Sequence, residues 1–314
     1  MRSILLLLVL VVSFVSCKKD EPTSTSFCIE NNCKPIQDSK SGMGWGFVNS
    51  DNYYISPCYN PLDSNVFLFV DFSNNLELPE LCIYSFLTGK AKRIFQGNIA
   101  SRPKWGKNNW IVFTLSDNNI WKIKSNGDSL VKLTYTGSCY NPTWNFESTE
   151  IWYYSPDIQR AIRLTENGAY LNTIEKLPYG ATNIAFINDS IIVSNNYVGV
   201  GIFNLKSGEF DVLSNADITS FSGSAYIPSL MNIIWAHKSG IHLTGIVDNI
   251  PSRCIYPSCD SRRYIIPTIS GDSQKIIFQL LIKTPLDKQY LKVESRIVYL
   301  DIPSLCVKEI PIEF

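Results

Sequence analysis

The stretch Pro142-Thr-Trp-Asn-Phe-Glu-Ser-Thr-Glu-Ile-Trp-Tyr153 indicates the fold class, because residues 103–113 carry the same pattern earlier in the chain. In both, a tryptophan lies two residues after a proline, a polar turn follows, and an apolar alternating segment comes next. The two tryptophans, Trp105 and Trp144, are 39 residues apart. A period of this size indicates a repeat architecture.

The pattern extends to six units when the residue that ends the first strand of each unit is taken as its anchor. Two apolar residues of a second strand follow at seven and nine positions, as Ile151 and Tyr153 do after Trp144. After Trp105 the spacing is one residue shorter. Only four anchors are aromatic, so the shared feature is the strand spacing; the anchors are Tyr59, Trp105, Trp144, Ile184, Tyr226 and Ile269.

Each unit contains further strand signals. A second alternating segment follows, such as residues 120–123, and a turn such as Asn126-Gly127 precedes a last short strand. Alternation of period two between Gly, Asn, Asp and Ser turns is typical of hairpins. Four strands per forty residues predict an all-β fold, a six-bladed β-propeller of four-stranded antiparallel blades. Residues 281–294, which contain Pro285, are predicted to form a long hairpin or loop insertion rather than a helix.

The phrase Pro-x-Trp, polar turn, Ile-x-Phe, then Ile-Trp-x-Ile, Asn-Gly and Leu-Thr resembles the WD-like propeller repeat of TolB-type proteins. Residues 103–134 and 142–165 match best, and residues 267–278 give a third match. The fourth and fifth units lack the proline before the anchor. The resemblance spans residues 45–314 and implies the fold. TolB itself carries an α/β domain before its propeller, so its partner-binding role is not carried over.

The N-terminus predicts export. Arg2 precedes an apolar segment, residues 4–12, that is too short to span a bilayer. The following Phe14-Val-Ser-Cys17 resembles a bacterial lipobox, whose cysteine becomes the acylated first residue of the mature protein. We therefore expect a signal peptide over residues 1–16 and a lipid, with palmitate among its chains, on Cys17. The alternative is an ordinary secretory leader with an incidental cysteine.

Residues 17–42 are rich in Ser, Thr, Asn, Lys and Pro and are expected to form a flexible tether before a propeller over residues 43–314. Lys18-Lys-Asp-Glu-Pro22 looks like the start of a Bacteroidetes-type lipoprotein. A basic residue followed by two acids also resembles the signal for the outer face of the outer membrane. The expected location is the outer membrane, lipid-anchored, either exposed at the cell surface or on the periplasmic face.

Nine cysteines are present, and the eight besides Cys17 suggest disulfides in an exported protein. Their pairing stays open, although Cys28 and Cys33, like Cys254 and Cys259, are separated by four residues. Zinc binding is the alternative, but no histidine is near either pair and the gaps exceed the tightest zinc spacing. Disulfides or free buried thiols are expected.

Chemical motifs are sparse. The net charge is zero, so no basic surface for nucleic acid is expected. No nucleophile elbow, zinc-protease helix or phosphate-binding loop is present. The two histidines, His237 and His242, are predicted to lie on adjacent strands of one hairpin. A metal site there would need carboxylates such as Asp248 or Asp260; the alternative is two partly exposed histidines at strand ends.

Acids and tryptophans could still serve a glycan. Acids that could act as a general acid and base lie in polar turns after the anchors, where turn formation also accounts for them; they are Asp63, Glu147, Glu150 and Asp272. Tryptophans at repeat positions could stack on sugars or pack between blades; they are Trp105, Trp121, Trp144, Trp152 and Trp235. Trp45 lies outside the repeats, and residues 45–48 are predicted to close the last blade beside a C-terminal strand over residues 307–312.

The leading hypothesis is a lipid-anchored envelope propeller that acts as a non-catalytic binding module for a protein, peptide or glycan. The first alternative is a glycan-active lyase or hydrolase, which acids, tyrosines and arginines at the channel mouth would favour. The second is a structural subunit of an envelope complex, which a large exposed apolar patch would favour. Cys17 is the one site residue predicted, with no cofactor, metal or catalytic residue.

Overall fold

The computed structural model describes residues 46–73, 77–175, 177, 184–195, 200–214, 223–237, 239–246, 252–258, 262–285, 290–304 and 306–314. The predicted signal peptide, Cys17 and the tether lie outside these residues. So do several other residues singled out in the sequence, namely Cys28, Cys33, Trp45, Asp248, Cys259 and Asp260. No helix in the described ranges is long and apolar enough to cross a membrane.

Four antiparallel sheets of four strands each form blades in which every strand pairs with the next one along the chain. The first contains β5 (Lys104–Trp105), β6 (Trp110–Thr114), β7 (Ile120–Lys124) and β8 (Val131–Lys132). The second contains β9 (Tyr140–Trp144), β10 (Glu150–Ser155), β11 (Arg160–Thr165) and β12 (Tyr170–Ile174). The third contains β13 (Ala185–Asn188), β14 (Ile191–Asn195), β15 (Val200–Asn204) and β16 (Phe210–Ser214). The fourth contains β17 (Gly223–Ile227), β18 (Asn232–His237), β19 (Gly240–Gly245) and β20 (Arg253–Pro257), with a 3-10 turn at Pro228–Leu230.

The eight remaining strands form one sheet. From the start of the chain come β1 (Gly46–Asn60), β2 (Asp63–Asp71), β3 (Glu80–Ser85) and β4 (Lys90–Gln96). From its end come β21 (Arg262–Ile269), β22 (Lys275–Pro285), β23 (Tyr290–Asp301) and β24 (Cys306–Glu309). The fold is therefore an all-β propeller with four-stranded antiparallel blades, as the sequence predicts. The predicted count of six separate blades is not confirmed, because these eight strands are joined.

The strand pairing between the two ends of the chain differs from the closing strand predicted from the sequence. The start of β1 does join the last unit, but it pairs in parallel with the first half of β23, at Tyr290 to Val293, and not with the C-terminal strand. The C-terminal strand β24 pairs with the other half of β23. The reason is length: β23 has 12 residues and β24 has 4, so half of one edge of β23 is left for β1.

The C-terminal tail adds a second joint. The backbone N–H of Ile310 donates to the carbonyl of Ile297 at 3.0 Å, and the N–H of Ala91 donates to the carbonyl of Glu313. The side chain of Ile310 is 4% exposed and packs in a cluster with residues of both ends of the chain, including Tyr59, Phe67, Ile277 and Ile297. The tail thus fastens the last strands to the first.

The repeat pattern matches the strands. Five anchors lie within the first strand of their unit, and Ile184 lies directly before β13. The apolar residues that follow them lie in the second strands β2, β6, β10, β14, β18 and β22. The long hairpin predicted over residues 281–294 is confirmed for its described part, since β22 and β23 pair up to Pro285 and Leu291.

Four of the five cysteines that the structure describes are free thiols. Among the described residues Cys58, Cys82 and Cys139 are free and buried, and Cys254 is free and exposed. Cys254 is therefore not disulfide-bonded to its neighbour in sequence, Cys259. Cys306 is disulfide-bonded, and its partner lies outside the described residues.

Shortening Ile310 to alanine should lower the free energy of unfolding by about 2–4 kcal/mol, because it leaves a cavity where the two ends of the chain meet. Urea denaturation would measure the loss. Lys308→Ala, in the partly exposed part of β24, is the control and should change stability by no more than about 0.5 kcal/mol. Equal effects of the two substitutions would show that the tail does not fasten the structure.

Candidate functional site

A channel runs between the first strands of the units, and it contains a chamber of about 310 Å³, which we call the wide chamber. Every one of the six repeat units contributes to this wide chamber, from its first strand or the turn after it. Its lining residues include Tyr59, Lys104, Trp105, Thr143, Trp144, Phe146, Phe186, Ser224, Tyr226 and Thr268. Because all units contribute, the site forms only in the assembled fold, and no local sequence motif encodes it.

The wide chamber narrows to a constriction of about 30 Å³. Arg102, Lys104, Thr143 and Ser224 line the constriction, together with backbone and apolar groups. Beyond it lies a second chamber of about 340 Å³, which shares Arg102 with the constriction. The shared lining residues place the three cavities in series.

Strand alternation explains why Lys104 points into the channel. Successive side chains of a strand face opposite sides. Trp105, which ends β5, is 7% exposed and packs into the apolar cluster of the neighbouring strands. Lys104 is then left to face the channel, which it lines. The equivalent position in the next unit is Thr143, which lines the channel as well.

The constriction is electrostatically unusual. Burial lowers the pKa of Lys104; the nearby Cys58 thiol opposes this, and the positive charge of Arg102 adds to it. Burial also lowers the pKa of Arg102. Within the described part of the chain, no carboxylate acts on Lys104. Two basic side chains therefore lie close together in a desolvated part of the channel.

Four buried polar atoms that have no hydrogen-bond partner among the described residues lie at the wide chamber, whereas others, on Asp71 and Ser252, lie away from it. The hydroxyls of Tyr59 and Ser224 and the indole N–H groups of Trp105 and Trp144 are buried and make no hydrogen bond. All four residues line the wide chamber. An indole N–H can only donate, and a buried polar group left unpaired costs about 1–3 kcal/mol. The chamber thus contains buried donors that no described protein group satisfies.

The acids considered as a general acid and base are engaged in local contacts, although Glu147 and Glu150 together line a cavity of about 570 Å³ outside the channel. Glu147 forms an ion pair with Lys107 at 3.4 Å. A carboxylate oxygen of Asp63 accepts from the N–H of Asn65 at 2.9 Å, which is ordinary turn chemistry. Asp272 accepts from the hydroxyl of Ser270 and from a backbone N–H. None of these acids lines the wide chamber or the constriction.

Glu150 is held by Arg163 across the β10–β11 pair. The guanidinium donates to both carboxylate oxygens, at 2.8 and 2.7 Å, and the indole N–H of Trp152 donates to one of them at 3.2 Å. Partial burial acts to raise the pKa of Glu150, but the hydrogen bonds from Arg163 and Trp152 outweigh it and hold the pKa below its usual value. Such a carboxylate is ionised at neutral pH, and together with Arg163 and Trp152 it lines a cavity of about 570 Å³.

The two histidines lie on the facing strands β18 and β19, as predicted. The hydroxyl of Ser239 lies 2.7 Å from Nδ1 of His237 and 2.7 Å from Nε2 of His242. The ring of His242 stacks on Trp235 at 4.4 Å, and burial followed by the neighbouring His237 lowers the pKa of His242. Neither histidine lines the chambers or the constriction.

The repeat tryptophans mainly pack between sheets. Trp105, Trp144, Trp152 and Trp235 are all at most 7% exposed, and Trp121 is half-buried. Trp105 and Trp144 also border the wide chamber, so these two side chains both pack between sheets and face a cavity.

In the described residues one group of possible metal ligands occurs, Asp71, Glu80 and Cys82. There Glu80 is paired with Arg93, and burial raises the pKa of the Cys82 thiol, which opposes metal binding.

Sequence reasoning missed Arg102 and Lys104. The sequence does contain a signal for them, because they flank the proline of the phrase Arg102-Pro-Lys-Trp105. Lys104 lies one position and Arg102 three positions before the buried anchor Trp105. The corresponding residues of the next unit, Asn141 and Thr143, line the same constriction. What the sequence does not show is that these two basic residues meet in one desolvated constriction.

Replacing Glu150 by glutamine should lower the free energy of unfolding at neutral pH by about 1–3 kcal/mol, since charge-assisted hydrogen bonds are lost. The folded-state pKa of Glu150 is depressed, so its contribution is fully present above the usual value of 4.5 and is lost as pH falls through the folded-state pKa. Urea denaturation at pH 7 and at successively lower pH should show the two proteins converging. Glu147→Gln is the control and should differ little from the parent at any pH.

Comparison with known proteins supports the fold. No protein-family model matches the chain, and no curated protein does. Among solved structures, a TolB from Agrobacterium tumefaciens is 11% identical with a TM-score of 0.59, covering 73% of this chain and 86% of its own. A gluconolactonase from Xanthomonas campestris is 11% identical with a TM-score of 0.54, covering 73% and 83%. TolB from Acinetobacter baumannii is 13% identical with a TM-score of 0.51, covering 74% and 65%. These likenesses show the fold alone: the chain folds as a β-propeller similar to that of TolB.

Proposed function

We propose that the protein is a lipid-anchored envelope β-propeller that acts as a non-catalytic binding module, with the wide chamber as its ligand site. The observation that carries this proposal is the convergence of unpartnered donors on one chamber, those of Tyr59, Trp105, Trp144 and Ser224. Buried donors without partners are uncommon in native proteins, and a bound ligand is one way to satisfy them. The ligand is a protein, peptide or glycan that reaches the mouth of the channel.

The proposal includes six blades. The eight-stranded sheet then consists of a first blade, β1 to β4, and a last blade, β21 to β24, joined because β1 extends beyond the ring onto β23. The lining of the wide chamber supports this count, because all six units contribute to it in the same way.

Catalysis is the weaker alternative. A glycan-active lyase or hydrolase would need acids at the channel mouth. Among the described lining residues of the two chambers and the constriction there is no aspartate or glutamate. The gluconolactonase likeness concerns the fold and carries no activity to this chain.

Lipid attachment at Cys17 is tested by Cys17→Ser in the producing cell. The variant should move from the membrane fraction to the soluble fraction, because single residues of the tether cannot replace acyl chains that gain about 0.8 kcal/mol per buried methylene. Cys254→Ser, which removes an exposed free thiol, is the control and should stay with the membrane. Retention of Cys17→Ser in the membrane would contradict the anchor. Protease treatment of intact cells then distinguishes the surface from the periplasmic face.

The chamber as ligand site is tested by Phe146→Ala, because Phe146 is 38% exposed and lines the wide chamber. Pull-down from detergent-solubilised envelope, followed by mass spectrometry, should recover the partner with the parent protein and several-fold less with the variant. Tyr135→Ala removes an aromatic ring that is 79% exposed away from the chamber and should not change recovery. An equal loss with both variants, or none with Phe146→Ala, would place the ligand elsewhere.

A further inference from the structure

A group of metal-ligating side chains lies on one face of the fourth blade, outside the channel. The pairing of β18 with β19 places Trp235 opposite His242, and the pairing of β19 with β20 places His242 opposite Cys254. Directly opposed residues share a face, with Cβ atoms about 4.5–5.5 Å apart. His237 follows Trp235 by two residues in β18 and therefore lies on the same face. The sheet thus brings a thiol to two imidazoles that are distant from it in the sequence.

The two imidazoles converge on a single point. The hydroxyl oxygen of Ser239, in the turn between β18 and β19, lies 2.7 Å from Nδ1 of His237 and 2.7 Å from Nε2 of His242. A hydroxyl has one proton, so it donates to one of these nitrogens and accepts from the other. Ring nitrogens that reach one oxygen can also bind one metal ion, at about 2.0–2.1 Å for zinc, once the hydroxyl turns away.

Cys254 supplies a third donor atom at the same turn. Its thiol is free and exposed, and the sulfur lies 3.8 Å from the backbone carbonyl oxygen of Ser239. Because the sulfur is turned toward this carbonyl, the three donor atoms are less closely gathered than those of Asp71, Glu80 and Cys82. An exposed side chain has staggered alternatives about its Cα–Cβ bond, so rotation of Cys254 can bring the sulfur toward the rings.

The ring of His242 is held in place from behind. It stacks on the indole of Trp235, with the ring centroids 4.4 Å apart and the planes at 19°. Trp235 is itself 2% exposed, and its indole N–H donates to the hydroxyl of Thr244 at 2.9 Å. Groups that fix the orientation of a ligating histidine strengthen metal binding. The face therefore offers one positioned imidazole and two donors that adjust to it.

The donor set selects the metal. Two imidazoles and a thiolate are ligands that zinc prefers, whereas calcium and magnesium require oxygen. His237 and His242 are separated by four residues, within the spacing of about three to five that is typical of paired zinc-binding histidines. Three protein ligands leave the fourth tetrahedral position for water or for a ligand from outside.

We propose that His237, His242 and Cys254 form a zinc site on the outer part of the fourth blade, with its fourth position open to solvent. On binding, the zinc–thiolate bond replaces the S–H bond of Cys254, whose proton leaves to solvent, and the hydroxyl of Ser239 turns away from the rings. The inference does not depend on the proposed function, because neither histidine lines the chambers or the constriction.

The test is calorimetric titration of the mature protein, purified without a histidine tag, with zinc chloride under reducing conditions. The parent protein should bind one zinc ion. His242→Phe keeps a ring against Trp235 but removes the ligating nitrogen. It should weaken binding by more than about a hundredfold, since loss of an outer-shell partner alone costs about 10- to 100-fold. Ser239→Ala should bind zinc several-fold more tightly, because no hydroxyl competes for the ring nitrogens. Glu80→Gln, which alters the other group of possible ligands, is the control and should bind like the parent.

Cobalt reports on the sulfur ligand. The cobalt-substituted parent should show visible bands of tetrahedral coordination and a thiolate-to-metal charge-transfer band in the near ultraviolet. The charge-transfer band should be absent in Cys254→Ser. Thermal unfolding separates a lost site from a lost fold: zinc should raise the Tm of the parent, whereas His242→Phe should unfold cooperatively at a Tm that zinc does not change.

Four outcomes would overturn the inference. They are the absence of a stoichiometric zinc ion in the parent, unchanged affinity in a folded His242→Phe, a charge-transfer band that persists in Cys254→Ser, and loss of binding in Glu80→Gln. The last result would assign the metal to Asp71, Glu80 and Cys82. None of the four bears on recovery of a partner that depends on Phe146, so the proposed function is tested separately.

Discussion

The structure depends on the burial of both faces of the second strand in each unit. In β6, the consecutive residues Ile111, Val112 and Phe113 are all 0% exposed. Ile111 and Phe113 pack toward the strands of the first unit, whereas Val112 packs in a cluster with Trp144 of the next unit. A strand whose two faces are both covered has to lie between two sheets. Repeating that requirement along the chain stacks the sheets around an axis, and a propeller is the result.

The channel is a consequence of the same packing. The first strands lie at the inner ends of the sheets, where the anchors Tyr59, Trp105 and Trp144 are buried against their neighbours. Alternation then turns the residues between them toward the channel. Apolar packing fixes the anchors, but it places little restriction on the residues that face the channel. Functional differences between propellers of one fold can therefore lie at these positions, where this chain has Arg102 and Lys104.

The fold could be predicted from sequence because the packing requirement is local: the spacing from Trp144 to Ile151 and Tyr153 is readable within one unit. The strand pairing between the two ends of the chain could not be predicted, because it depends on the unequal lengths of β23 and β24, which the repeat pattern does not encode. The candidate site could not either. Tyr59, Lys104, Thr143 and Ser224 come from four different units, and only the closed arrangement brings them to one chamber. Motif searches look for chemistry close in sequence and miss sites of this kind.

Stability and binding make opposite demands on the same few residues. A partner-free indole N–H at Trp105 or Trp144 lowers stability, yet the surrounding strands keep it in place. Burial of Lys104 next to Arg102 also lowers stability, through desolvation and electrostatic repulsion. Costs of this kind are tolerated where they are offset by another interaction, and departures from good packing rules are expected at functional sites. The remaining described core is well packed, with Phe67, Phe113, Phe203 and Phe278 almost fully buried. Four of these unsatisfied groups lie around the wide chamber, and for that reason we propose the chamber as the ligand site.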